Sequence, residues 1–85
     1  MDESKPVIEL DARRLLCPMP VIKTQNAVNA LSEGDRLHVR CTDPGALNDI
    51  PAWCRINGHR IIKIAEDAGE YTVLLSVGPQ SGALF

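Results

Sequence analysis

The run Cys17-Pro18-Met19-Pro20 joins a strand-like segment to a helical pattern. The segment before it, residues 7–11, is short and mainly apolar, and the apolar residues after it repeat at helical spacing as far as residue 31. Proline is well tolerated in the first turn of a helix, because the N–H that it lacks would have no partner there. The run therefore predicts a helix start, with Cys17 as the N-cap and Pro18, Met19 and Pro20 as the first turn.

This placement changes the chemistry expected of the Cys17 thiol. Pro18 and Pro20 would fix the thiol near the Met19 amide and the positive end of the helix dipole, which lowers a cysteine pKa from its free value of ~8.5. The thiolate is the nucleophilic form. Arg13 and Arg14 precede the cysteine and could favour the thiolate further or contact an anionic partner. The alternatives are a rigid helix start with cysteine as a small apolar cap, and two solvated loop charges.

The rest of the chain predicts the order β-α-β-α-β-β. A helix–strand pair follows the cysteine, a second helix starts at the turn 43–45 or at 49–51, and an antiparallel hairpin with its turn at 66–70 closes the chain. The predicted fold is α+β, a two-layer α/β sandwich in which a small mixed sheet carries both helices on one face. The predicted strands and helices cover residues 7–11, 18–31, 36–42, 43–58, 60–65 and 71–77.

Alternation along 36–42 predicts which cysteines are structural. Leu37, Val39 and Cys41 share one face of that strand, and Cys54 lies on the apolar face of the second helix, so both cysteines are expected in the core. The isoleucines of 60–65 do not alternate, and their faces stay unassigned. We expect one domain over residues 1–78 and a flexible tail over 79–85.

Composition excludes several classes of protein. A chain of 85 residues forms one domain with a small core, and its net charge of −2 argues against direct nucleic-acid binding or a basic membrane surface. No apolar run could serve as a membrane span or a signal peptide. Three widely spaced cysteines without a Cys-x-x-Cys pair predict free thiols in the cytoplasm, with neither a disulfide framework nor a metal site.

Taken together, several short motifs resemble the TusA/SirA-like sulfur carrier proteins. The resemblance covers about residues 7–77 in matching element order. Its motifs are Leu10-Asp11, Leu16-Cys17-Pro18-Met19-Pro20, Gly34, Thr42-Asp43-Pro44, Asp49-Ile50-Pro51 and Gly58-His59.

The resemblance implies both a fold and an activity. The fold is a two-layer sandwich like the C-terminal domain of translation initiation factor three. The activity is carriage of sulfane sulfur as a persulfide on Cys17, with Pro18 and Pro20 matching the positioning prolines of the family. The implied partners are a cysteine desulfurase or another persulfide donor and a downstream acceptor protein, met in transient complexes by a monomer. No cofactor is implied, and the routes served by the family include tRNA thiolation and sulfur metabolism.

Three sites in the chain depart from the family pattern. Family members commonly have glycine where this chain has Arg14, and many have an acidic residue at the position of Met19 and basic residues at Ser76-Val77. All three are expected on surfaces that meet partners. A required positive φ at Arg14 would imply a different local loop.

Other interpretations of the chain stay open beside sulfur carriage. The first is a non-catalytic regulatory or interaction module in which Cys17 is structural. A redox role through a Cys17–Cys41 or Cys17–Cys54 disulfide requires a thiol that the pattern places in the core. RNA binding is suggested only by analogy with the fold, and a fold alone does not determine function.

Overall fold

The secondary structure follows the predicted order β-α-β-α-β-β. The computed structural model describes residues 7–16 and 18–79, so the predicted tail beyond residue 79 and Cys17 itself lie outside the described residues. The elements are β1 (Val7–Ala12), α1 (Met19–Asn29), β2 (Arg36–Cys41), α2 (Ala46–Asn57), β3 (Arg60–Asp67) and β4 (Glu70–Ser76).

The four strands form one mixed sheet in the order β1-β2-β4-β3. β1 and β2 are parallel, whereas β4 is antiparallel to both β2 and β3. Because β1 and β2 run the same way, their carboxyl ends meet at one end of the sheet, where Ala12 is paired with Cys41. The loop that leads to Cys17 therefore begins beside the end of β2.

Both helices cover the same face of this sheet, as predicted. The alternation of β2 places Leu37, Val39 and Cys41 on that face, where all three are fully buried. α1 contributes Val28 to the core, and α2 contributes Ile50 with two smaller residues. The core consists of Ala12, Val28, Leu37, Val39, Cys41, Ala46, Ile50, Cys54, Val73, Leu75 and Val77.

The opposite face of the sheet, called here the open face, is polar. Its β2 side chains pair with neighbouring strands: His38 Nδ1 lies 3.0 Å from a Glu9 carboxylate oxygen, and Arg40 Nε donates to Glu70 at 2.8 Å. The open face is therefore a charged surface rather than a second core.

A bulge explains why the isoleucines of β3 do not alternate. Ile61 is paired with Leu75, but the next pair along β4 is Lys63 with Leu74, so Ile62 is an extra residue without a place in the register. The bulge reverses the alternation at that point. Beyond it, the strand runs regularly to Asp67.

α2 begins at the first of its two predicted starts. Its N-cap is Gly45, whose N–H donates to Asp43 Oδ1 at 3.1 Å, and Pro51 lies inside the helix rather than at its start. The helix ends at Gly58, whose φ of 83° is the left-handed conformation that glycine adopts without steric cost.

Candidate functional site

The loop between β1 and α1 is fixed by a hydrogen bond to the chain beyond β2. Arg14 has a φ of 67°, a left-handed conformation that is costly for a residue with a Cβ. The Arg14 N–H donates to Thr42 Oγ1 at 2.8 Å, although the two residues are 28 positions apart. The position therefore takes a positive φ with an arginine in place, and Thr42 helps to hold it there.

Arg13 is held by a carboxylate two residues earlier. Its Nε donates to Asp11 Oδ1 at 2.9 Å, a second guanidinium nitrogen donates to Asp11 Oδ2 at 2.9 Å, and its backbone N–H donates to Oδ1 at 3.0 Å. These bonds hold the pKa of Asp11 well below its usual range and raise that of Arg13. Arg13 also lies 3.9 Å from Glu70. Its charge is thus balanced at the sheet edge, and contact with an anionic partner remains a prediction.

The start of α1 lies one residue later than predicted. The N-cap is Pro18, whose carbonyl accepts from the Ile22 N–H at 3.1 Å, so Met19 is the first helical residue and Pro20 the second. The prediction of Cys17 as the N-cap is therefore wrong. The physical reason lies in the hydrogen bonds at the helix start: the Met19 N–H donates to the Leu16 carbonyl at 2.8 Å, outside the helix, and the first helical carbonyl to accept is that of Pro18.

The residues predicted to position the thiol have different environments. Pro20 is buried, which anchors the first turn of α1 to the core, and its carbonyl accepts from the buried Thr24 hydroxyl one turn later at 2.8 Å. Pro18 is exposed, and Met19 is 45% exposed. Pro20 thus anchors the turn from inside, while Pro18 and Met19 present it to solvent.

Exposed apolar side chains flank this turn. Leu16 is 76% exposed and Ile22 is 42% exposed, and together with Met19 they form what we call the apolar rim. The spacing of three residues places Met19 and Ile22 on the same side of α1. Exposed apolar side chains that cluster at one place commonly mark a surface that meets a partner.

Cys41 and Cys54 have the structural role that their patterns predict. Both are fully buried, and the Cys41 thiol donates to the Tyr71 carbonyl at 3.6 Å. Burial raises the pKa of Cys54 to about 12 and also raises that of Cys41. Both thiols are therefore protonated at neutral pH and inaccessible to a large partner.

Sequence reasoning missed two residues of this site and misplaced a third. It quoted Thr42 only as part of a motif, and it gave no role to Leu16, whose exposure depends on the turn around it. Val77 was expected with Ser76 on or near a partner-facing surface, but it is buried in the core, on the side that it was predicted to share with Val73 and Leu75. The reason is that Val77, one residue beyond β4, continues the buried alternation of Val73 and Leu75.

Within the described ranges 7–16 and 18–79, no three His, Cys, Asp or Glu residues are grouped so as to hold a metal ion. Over the same residues, neither helix has the length and apolar character needed to cross a membrane.

The family model and the relatives that match this chain all describe sulfurtransferase or sulfur carrier proteins. A family model described as sulfurtransferase TusA matches residues 8–77. The chain is 43% identical to the putative sulfur carrier protein YrkI of Bacillus subtilis over 58 residues, which is 68% of this chain and 77% of that protein. It is 37% identical to the sulfur carrier protein TusA of Allochromatium vinosum over 67 residues, 79% of this chain and 88% of that protein.

A solved structure has the same fold. The crystal structure of a SirA-like protein from Desulfitobacterium hafniense superposes with a TM-score of 0.75 at 25% sequence identity. The match covers 84% of this chain and 97% of that one.

Proposed function

The chain belongs to the TusA sulfurtransferase family, and from that premise we propose that it carries sulfane sulfur as a persulfide on Cys17 and relays it from one protein to another. The sulfur comes from a cysteine desulfurase or another persulfide donor. The acceptor is a further carrier protein in a route such as tRNA thiolation or sulfur metabolism.

The chemistry of the relay balances without an added oxidant. In loading, the Cys17 thiolate attacks the outer sulfur of the donor persulfide; a new S–S bond forms at Cys17, the donor S–S bond breaks, and the donor cysteine leaves as a thiolate. In unloading, an acceptor thiolate attacks the outer sulfur on Cys17, and the Cys17 thiolate leaves. Neither a metal nor an organic cofactor takes part.

One contrast among the cysteines carries the proposal. Cys41 and Cys54 are fully buried, and their pKa values are raised, so neither can meet a donor protein while the domain is folded. Leu16 and Pro18, on either side of Cys17, are both exposed. The third cysteine of the chain therefore lies between exposed neighbours, as a group passed between large partners must.

The apolar rim supports protein partners rather than a direct nucleic-acid contact. Leu16, Met19 and Ile22 offer exposed apolar surface next to position 17. Nucleic-acid sites are instead rich in lysine and arginine side chains. Met19 is uncharged, so docking at the rim would depend mainly on apolar burial. The cytoplasmic location predicted from the lack of an apolar run, and consistent with the cysteine pattern, belongs to the same proposal.

The test is intact mass after incubation with a cysteine desulfurase and free cysteine. Wild type should gain one sulfur, about 32 Da, that a reductant removes, and Cys17→Ser should gain none. Cys54→Ala is the matched control and should load like wild type. Sulfur that appears on Cys17→Ser, or a wild type that loads from neither a desulfurase nor thiosulfate, would overturn the proposal.

Alkylation separates this function from a non-catalytic interaction module. A carrier thiol should react with iodoacetamide faster at pH 7 than a free cysteine of pKa ~8.5, because more of it is thiolate. A Cys17 that reacts no faster than free cysteine would favour the interaction module.

A further inference from the structure

β3 lies at the edge of the sheet and carries an exposed, regular half. Among the strands of the described residues, the order ends with β3, which is paired with β4 alone. Residues 63–67 are all exposed, and the bulge at Ile62 separates them from the first half of the strand. An edge strand presents backbone donors and acceptors to a further strand. The regular half of β3 is therefore a template five residues long.

The hairpin turn determines which backbone groups of β3 point outward. Ala68 and Gly69 have φ values of 54° and 83°, as in a two-residue type I′ turn. In such a hairpin the closing pair, Asp67 and Glu70, exchange backbone hydrogen bonds. The backbone N–H and C=O groups of Lys63, Ala65 and Asp67 then face β4. Those of Ile64 and Glu66 point outward, in the plane of the sheet.

The side chains of this half alternate between the two faces of the sheet. Lys63 and Ala65 line a shallow groove of about 260 Å³ on the open face, together with His38, Thr72 and Leu74. Asp67 follows Ala65 by two positions and lies on the same face. The open face of the segment thus carries a cation, a small residue and an anion in turn. The helix-side face carries Ile64, which is 44% exposed, and Glu66.

This pattern is complementary to itself when reversed. With a second copy antiparallel and Ala65 opposite Ala65, Lys63 of each chain faces Asp67 of the other. Ile64 then faces Glu66 of the second copy, and these are the two residues whose backbone groups point outward, so each such pair can exchange two hydrogen bonds. Small side chains meet at the two-fold axis, where the strands approach most closely.

Neighbouring registers lose this match. A shift in one direction places Glu66 opposite Glu66 of the second copy, which sets like charges together. A shift in the other direction places Lys63 opposite Ala65 and leaves both ion pairs unmade. Registers offset by one residue set the open face of one chain against the helix side of the other.

We propose that the β3 edge pairs with the β3 edge of a second copy of this chain, through residues 63–67, to form a continuous eight-stranded sheet. Five residues on each side form a small interface, so the dissociation constant should be on the order of 0.1 mM. Dilute protein is then monomeric, as the family resemblance implies, and pairs as its concentration rises. β1, which leads to Cys17, is the opposite edge of the sheet, so the proposed carrier site stays free.

Charge exchange tests the pairing. Sedimentation equilibrium from about 10 μM to about 1 mM should show a monomer–dimer equilibrium that weakens with added salt. Lys63→Asp and Asp67→Lys should each raise the dissociation constant by about tenfold or more, because each turns two attractions into two repulsions. The double exchange K63D/D67K should restore it to within about threefold.

The control is Arg60→Asp, on the same strand but before the bulge, which should leave the dissociation constant unchanged. Urea unfolding of each variant checks that the fold is intact. A wild type that is monomeric at about 1 mM, or a double exchange no better than the single variants, would overturn the proposal. In a wild type that dimerises, amide shifts that change with concentration should be centred on Ile64 and Glu66. Shifts centred elsewhere would refute this edge.

Discussion

Replacing Thr42 with valine removes the hydroxyl that accepts the Arg14 N–H and keeps the shape of the side chain. The bond is 2.8 Å long and holds Arg14 at a φ of 67°. A hydrogen bond of this kind is worth about 1 kcal/mol net, and the left-handed conformation costs a residue with a Cβ about 1–2 kcal/mol. We expect Thr42→Val to lower the free energy of unfolding by about 1 kcal/mol.

The interaction between the two positions is the more specific expectation. Glycine takes a positive φ without the steric cost, so Arg14→Gly should stabilise the loop by about 0.5–1 kcal/mol. In a chain that already carries Arg14→Gly, Thr42→Val should cost about 0.5 kcal/mol less than in wild type, because the loop no longer needs the bond to hold its conformation.

Urea unfolding of wild type, the two single variants and the double variant measures this interaction energy. The alkylation rate of Cys17 shows whether a change in the loop alters the reactivity of the thiol. Thr72→Val, on the open face of β4, is the matched control. It should change the free energy of unfolding by no more than a few tenths of a kcal/mol and leave the alkylation rate of Cys17 as in wild type. Additive effects of Thr42→Val and Arg14→Gly, within about 0.3 kcal/mol, would refute the idea that Thr42 holds the left-handed residue.

Two further predictions concern the segment after β4. The Gly78 N–H donates to His59 Nδ1 at 2.9 Å, and burial lowers the pKa of His59 from its ordinary 6.5. The contribution of neutral His59 to the free energy of unfolding should therefore be complete above pH 6.5 and fall as the pH drops from there towards the lower folded-state pKa. Urea midpoints between pH 5 and pH 8 measure this loss. Gly78→Ala would place a Cβ 1.9 Å from the Gly58 carbonyl oxygen, so the backbone must shift, and thermal or urea unfolding should show a loss of about 3 kcal/mol or more.

Each of these predictions has a control within the chain. His59→Gln should abolish the loss below pH 6.5, and His38→Gln should retain it; a loss that persists in His59→Gln would assign the effect to another group. Gly45→Ala, whose Cβ would lie 3.5 Å from its nearest neighbour atom, should cost less than about 1 kcal/mol. Equal losses for the two glycine substitutions would contradict the steric account.

The parts of the fold set by local pattern could be predicted from sequence. Alternation along β2 placed Leu37, Val39 and Cys41 on the buried face, because period two is enforced along every regular strand. The faces of β3 could not be assigned, because the bulge at Ile62 is decided by the register with β4, which no local pattern encodes.

The same division holds at the site. The Asp11–Arg13 pair spans two residues and could have been proposed from their spacing, but the bond between Arg14 and Thr42 depends on the parallel pairing of β1 with β2. The start of α1 was misplaced by one residue because proline tolerance fits several positions of a first turn, and the Leu16–Met19 turn chooses among them.

If Cys17 carries sulfur as proposed, the exposure of Leu16 and Pro18 has a cost. Clefts shield reactive groups from water and small molecules, whereas position 17 lies between two residues that face solvent. Sulfur held there as a persulfide would be open to any small thiol, since thiol exchange is governed by access and thiolate fraction. The acceptor protein and small thiols in solution would then compete for the same sulfur. The fraction of sulfur delivered to the acceptor would fall as the concentration of small thiols rises.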